Sequence, residues 1–240
     1  VTYRSLSRTI GLAGSSDAPF RVSSDRFTFR GERLWIARGT GLGRIEGPGD
    51  MTINEAPAAL VDPLGRLELA LASRDEGVLM LVASIVARQN AAPSTSLEIT
   101  WSDGVDLEFE PQSSGNQTDD GGLLRAARFQ GDVRVRSDDF AMRSMALDVE
   151  FDPTAPAGAG NREAAIRLIN ATGGVVVNRL AESGMLSSET LRVIMTSLDG
   201  KAIPVEMEAT GHVEAQDVEQ SVWADRLKVT FQPRLDDADA

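Results

Sequence analysis

Three times in the second half of this chain a glycine-centred alternating segment is followed, after a short polar break, by another: "ARFQGDVRV" then "MALDVEF", "NATGGVVVN" then "ETLRVIM", "EATGHVEA" then "ADRLKVTF". Side chains along a strand point alternately to opposite faces, so an apolar/polar period of two marks one buried and one wet face. Leu147, Val149 and Phe151 alternate with Asp148 and Glu150; Leu191 and Val193 flank Arg192; Leu227, Val229 and Phe231 alternate with Arg226, Lys228 and Thr230. The preceding segments run from Gly131 to Val133 and Val135, from Gly173 to Val175 and Val177, and from Gly211 to Val213 and Ala215. The glycines recur roughly every 40 residues. Strand pairs repeated at fixed spacing build an array in which each unit stacks on its neighbour.

The first half keeps the rhythm more loosely, in "DRFTFRGERLWIA", "GRIEGPGDMTI", "GRLELALAS" and "SLEITWSDGVDLEFE". Turn-forming clusters fall at 47–50, 102–104 and 111–122, and a further loop at 152–161. "NREAAIRLIN" is helix-like in isolation, but it sits before Gly173 where the other repeats have a strand, and reads as one. These patterns predict an all-β fold: one continuous unit over 20–232, with subdivision allowed near 111–122 or 152–161. Residues 1–19 read as an edge or poorly ordered segment, and 233–240 as an acidic tail. One face should collect Val133, Val135, Leu147, Val149, Val175, Val177, Leu191, Val193, Val213, Leu227, Val229 and Phe231. The glycines read as bulges, where a strand bends or backbones approach closely. Ala209, Gly211 and Ala215 read as small inward residues that either permit close packing or leave an apolar groove.

Composition narrows the chemistry. The 240 residues carry a formal charge of -12, which disfavours nucleic acid and a basic membrane anchor. With no cysteine there is no disulfide, thiolate nucleophile or cysteine-ligated zinc. The longest apolar run, "GVLMLVASIVA" at 77–87, is a buried strand or core-helix candidate and falls short of the ~18 residues of a membrane span. The chain begins at Val1, which leaves a signal peptide or anchor upstream an open matter.

Catalytic patterns are absent. The one histidine, His212, alternates onto the polar face with no orienting group evident in the sequence. No HExxH or clustered ligand set suggests a metal, and "SDGVD" and "TDDGG" lack full calcium-loop spacing. "GTGLGRIEG" has Arg44 where a dinucleotide fingerprint beginning at Gly39 needs glycine, and reads as a turn between strands. The acidic pairs Asp119–Asp120 and Asp138–Asp139 sit in loop-like sequence. Trp35 and Trp101 read as core residues, and Trp223 as a core cap or a rim residue. No cofactor is implied.

"ATGHVEAQDVEQSVWADRLKVTF" resembles the repeat of the OstA-like lipopolysaccharide-transport proteins, in which a G-x-V strand precedes A-D-x-L-x-V. Gly211, Val213, Ala224, Asp225, Leu227 and Val229 hold those positions. The two earlier repeats are similar but have Ser144-Met145 and Ser188-Glu189 near the Ala-Asp pair. The resemblance covers about residues 122–232 by motif and 20–110 by rhythm. It implies an elongated antiparallel β-jellyroll with an open apolar interior, a periplasmic or cell-envelope location in a Gram-negative-type bacterium, and no catalysis. It further implies acyl chains of lipopolysaccharide or a similar amphipathic lipid held inside, and edge-to-edge strand pairing with related jellyrolls. On that view the C-terminal strand offers an edge, limited by Pro233 and "LDDADA". The competing reading is a structural β-repeat scaffold for protein–protein assembly without lipid; a third is a carbohydrate-binding domain or an enzyme with an unrecognised acidic site. All three β readings expect a far-ultraviolet circular dichroism spectrum dominated by β-structure, and a helix content near a third of residues would overturn them.

Overall fold

The computed structural model describes residues 2–4, 9–23, 27–37, 39–53, 68–75, 78–85, 97–110, 124–137, 140–152, 165–180, 184–198, 201–217 and 220–233. Among them there is no helix, and all strands join one sheet. The strands are β1 (Thr2–Arg4), β2 (Thr9–Ala13), β3 (Phe20–Ser23), β4 (Phe27–Ala37), β5 (Leu42–Ile53), β6 (Glu68–Asp75), β7 (Val78–Ile85), β8 (Leu97–Trp101), β9 (Gly104–Phe109), β10 (Leu124–Arg136), β11 (Phe140–Asp152), β12 (Ala165–Arg179), β13 (Gly184–Leu198), β14 (Lys201–Gln216) and β15 (Ser221–Pro233). Their order is β1-β2-β4-β5-β8-β10-β11-β12-β13-β14-β15-β7-β6, with β3 beside β4 and β9 between β5 and β10. The architecture is an elongated, jellyroll-like antiparallel sheet, as the alternation predicts, with one departure: β7 joins β15 in parallel.

A row of β-bulges crosses this sheet. Gly131–Asp132 of β10 face Met145 of β11, Gly173–Gly174 of β12 face Glu189 of β13, and Gly211–His212 of β14 face Asp225 of β15. Gly47–Pro48 of β5 face Glu32 of β4 in the same way. Two residues opposite one bend the strand and increase its local twist. Because the bulges line up, every long strand bends at the same level and the sheet divides into two arms. One arm holds β9 and the second halves of β11, β13 and β15; the other holds β3 and β8. The first residue of each bulge is glycine, with φ of 82°, 79°, 84° and 79° at 47, 131, 173 and 211. The second position also lies at positive φ in the three C-terminal bulges: Asp132 (39°), Gly174 (77°) and His212 (48°).

The inner faces of both arms form one hydrophobic cluster that includes Phe29, Ile45, Trp101, Phe129 and Phe231. Across one arm the inner row reads Phe129, Leu147, Ala171, Leu191, Ala209, Leu227, each beside the next in register. Ala171 and Ala209 are 0% exposed, so alternating small residues let the leucines interdigitate. Trp101 lies over Gly49, where an added Cβ would come within 2.6 Å of its ring, and its Nε1–H donates to the Gly47 carbonyl (3.1 Å). The tryptophan thereby ties β8 to the bulge of β5.

Several expectations change. Residues 47–50 are not a turn: they lie inside β5, and Gly47–Pro48 bend the strand without ending it. Of "GTGLGRIEG" only 39–41 form the turn, and the remainder is strand. Trp35 is not a core residue but is 38% exposed, because Leu34 before it takes the inner face and Trp35 lies in register with Gly11 and Arg44 on the outer one. The outward edge of β15 over Arg226–Pro233 is filled by β7, so that stretch is not an open edge. Ala165–Asn170 of "NREAAIRLIN" is strand, and residues 161–164 lie outside the described residues, as do 111–122, 153–161, Asp138–Asp139 and 234–240.

The two bulge positions make different demands. At Gly173 an added Cβ would sit 2.6 Å from the Met145 Cβ at a φ that disfavours any side chain, whereas at Gly174 it meets nothing within 4 Å. Gly173→Ala should therefore cost more than about 2 kcal/mol in denaturant unfolding. Gly174→Asn, which imitates Asp132 and His212 of the other repeats, should stay within about 1 kcal/mol. Equal costs at the two positions would show that the bulge does not set the strand geometry.

Candidate functional site

The twelve apolar positions singled out from the alternation all lie on the inner face. Val133 and Val135 come from β10, Leu147 and Val149 from β11, Val175 and Val177 from β12, and Leu191 and Val193 from β13. Val213 comes from β14, and Leu227, Val229 and Phe231 from β15. All are between 0% and 6% exposed and belong to the single core cluster. In this structure that interior is packed against itself. Among residues with described side chains it is lined almost wholly by aliphatic and aromatic groups.

Where the strands bend, the inner face carries serine. Ser144 and Ser188 are 2% and 7% exposed, three residues before the inward Leu147 and Leu191. A strict period of two would place such residues on opposite faces; the bulge shifts the phase and puts both inside. The Ser144 hydroxyl donates to the Ala146 carbonyl and that of Ser188 to the Thr190 carbonyl, each at 3.0 Å. These bonds remove the cost of burying a hydroxyl. In the third repeat the corresponding residue is Ala224, which faces Val213. The periodicity did not identify the serines as inward, because it reads a polar residue as solvated.

Among the small residues, Ala209 is inward and Ala215 packs partly buried against the core. Gly211 is different. Its missing Cβ would point at the carboxylate of Glu189, a side chain 66% exposed, so it opens no space in the interior. His212 next to it is on the polar face, with its side chain 91% exposed. It does have an orienting group: His212 Nδ1 lies 3.0 Å from Glu189 Oε1, a contact between strands that adjacent sequence positions do not reveal. The arrangement is a solvated surface pair with no described hydroxyl or thiol bonded to the ring.

The outer face is a ladder of cross-strand ion pairs. Arg30 meets Asp50, Arg44 meets Asp106, Arg226 meets Glu208 and Lys228 meets Glu206. Asp132, at the second position of its bulge, accepts from Arg134 and Arg143, each at 2.7 Å, and those bonds hold its carboxyl below the ordinary carboxylate value. Burial instead raises the Asp148 carboxyl, against the opposing pull of Arg128. A polar recess of ≈ 710 Å³ on this side is lined by Glu108, Arg125, Arg128, Glu150 and Arg167 among others. Its three arginines are engaged: Arg125 with Glu108, Arg128 with Asp148 and Arg167 with Glu150. Among the described residues no group of three or more His, Asp or Glu is placed to hold a metal ion. Trp101 is buried, whereas Trp223, read from the sequence as a core cap or rim residue, is 70% exposed and lies in register with Glu214 on the outer face.

Two substitutions separate the faces. Phe231→Ala, at 4% exposure, should cost about 3–5 kcal/mol in denaturant unfolding. His212→Ala should change stability by no more than about 0.5 kcal/mol, since the pair it breaks is exposed. Similar costs for both would contradict the assignment of inner and outer faces.

The chain matches no family model, no curated protein and no solved structure.

Proposed function

We propose that this protein is a non-enzymatic module of the bacterial cell envelope that takes the acyl chains of an amphipathic lipid, lipopolysaccharide or one like it, between the two arms of its bent sheet. The observation that carries this reading is the inner face itself. It is apolar in register from strand to strand across β10–β15, and it is bounded by arms that meet along a row of bulges. An acyl chain needs a long apolar surface and no directional partner, and a row of Leu, Val and Ala side chains offers that. The charged outer face suits an aqueous compartment. Entry of a guest requires the arms to part about the bulges, so the core side chains would exchange contacts with each other for contacts with lipid. The resemblance of "ATGHVEAQDVEQSVWADRLKVTF" to the OstA-like repeat points to the same class of ligand, and to lipopolysaccharide export as the process served.

A second reading, a structural scaffold without lipid, draws on one specific observation. The twelve inner residues are at most 6% exposed, as expected of an interior closed by its own side chains. The two readings differ in what touches Val213 and Val229 in the cell. A photo-crosslinking residue at either position should capture lipopolysaccharide in the envelope of a bacterium that makes it, and the same residue at Glu214 or Lys228 should not. Adducts to protein alone, from both faces, would overturn the lipid reading in favour of the scaffold.

A further inference from the structure

Sulfur in this chain is methionine alone: seven residues, and no cysteine. With no thiol to compete, an oxidant that attacks sulfur reaches only thioethers, and exposure decides which of them it reaches first. Met51, Met142, Met195 and Met207 lie in the core, at 2%, 8%, 4% and 1% exposure, and Met185 is half-buried. Among the methionines with described side chains Met145 alone is exposed, at 58%, on the outer face of β11.

The bend puts it there. Between the inward Ser144 and Leu147 two residues stay off the inner face where a regular strand would have one, and the first of them is Met145. Its stem then covers the glycine of the next strand: an added Cβ on Gly173 would lie 2.6 Å from Met145 Cβ and 2.9 Å from its Cγ. The other bulge glycines are covered in the same way but by acids, Glu32 over Gly47, Asp103 over Gly131 and Glu189 over Gly211. Three caps out of four thus carry polar oxygens at this level of the outer face, and the bend accommodates them. A donor also stands near Met145. Arg143, two residues earlier on the same face and so roughly 7 Å along the strand, gives its Nε–H to Asp132, a bond that leaves its Nη groups for another acceptor.

We propose that Met145 is a reversible oxidation site, converted to the sulfoxide by hydrogen peroxide while the fold stays intact. A lone pair of the thioether sulfur attacks one peroxide oxygen, and the S–O bond forms as the O–O bond breaks. The departing hydroxide takes the proton of the transferred oxygen and leaves as water; sulfur has lost two electrons and the peroxide has gained them. A methionine sulfoxide reductase reverses the change, its thiols supplying two electrons and the oxygen leaving as water. The same oxygen on Met51 or Met207 would sit among apolar side chains with no donor, whereas on Met145 it joins a row that already holds carboxylates. The inference rests on the packing of β11 against β12 and is independent of any lipid in the interior.

Peptide-resolved mass spectrometry after graded doses of hydrogen peroxide tests it. In the folded protein Met145 should oxidise about tenfold faster than Met51, Met195 and Met207, and in the urea-unfolded chain all four should react alike. At the dose that converts Met145 alone, the far-ultraviolet dichroism and the urea midpoint should match those of the untreated protein. Reductases for the two sulfoxide epimers should then restore the parent mass. Met145→Gln, which carries an oxygen on a similar stem, should fold and unfold at the parent's urea concentration. A Met145 that reacts no faster than Met51 or Met207 in the folded protein would overturn the proposal. So would loss of the dichroism on conversion of Met145 alone, a sulfoxide that the reductases leave in place, or a Met145→Gln variant that fails to fold.

Discussion

The row of aligned bulges is the constraint on which the remaining structure depends. A flat sheet with one apolar face would expose that face to water along its whole length. With every long strand bent at the same level, the two halves of each strand contribute to one core, and no helix is needed among the described residues to cover it. The bend requires a backbone at positive φ in each bulge, which glycine adopts without a Cβ penalty. It also requires room on the outer side, where Met145 lies against Gly173 and Glu189 against Gly211. Each of the three C-terminal bulges is thus held from outside by a neighbouring side chain, Asp103 at Gly131, Met145 at Gly173 and Glu189 at Gly211, and from inside by Val133, Val175 or Val213 two residues further on.

Packing and electrostatics divide between the two faces. Inside, the alternation of Leu147, Ala171, Leu191, Ala209 and Leu227 across strands supplies interdigitating apolar contact. Burying a leucine or valine side chain is worth about 1.5–3 kcal/mol. Outside, the ion pairs are mostly solvated; Arg33–Glu46, for example, has side chains 68% and 41% exposed. Such pairs contribute from nothing to about 1 kcal/mol each, and serve register and solubility more than stability. The design concentrates stability in the interior, and that is the region a lipid guest would have to share.

Much of the inner surface was legible because a period of two is a local property. The faces of Val133, Leu147, Val175, Leu191, Val213 and Phe231 follow from their neighbours alone. Legibility ended where the phase shifts. Met145 is apolar yet 58% exposed, and Ser144 is polar yet buried, because the bulge between them and the partner strand moves both off the simple alternation. Residues 47–50 looked like a turn because Gly-Pro-Gly-Asp ends most strands; here the pairing of β4 on one side and of β8 and β9 on the other carries β5 through the bend. Glu189 could not be matched to His212 because they lie on different strands, 23 residues apart.

The amino-acid sequence by itself determined the all-β class, the repeat, the glycine bulges and the residues that share the inner face. Each of these rests on spacing and backbone preference within one or two strands. Only the tertiary structure decided that the bulges fall into one row, that Ser144 and Ser188 turn inward, that Trp35 lies outside, and that β7 docks in parallel on β15. Those outcomes depend on which strands become neighbours and in what register. Pairing between segments well over a hundred residues apart, such as 78–85 with 226–233, is set by competition among all available edges. No local pattern records the result of that competition.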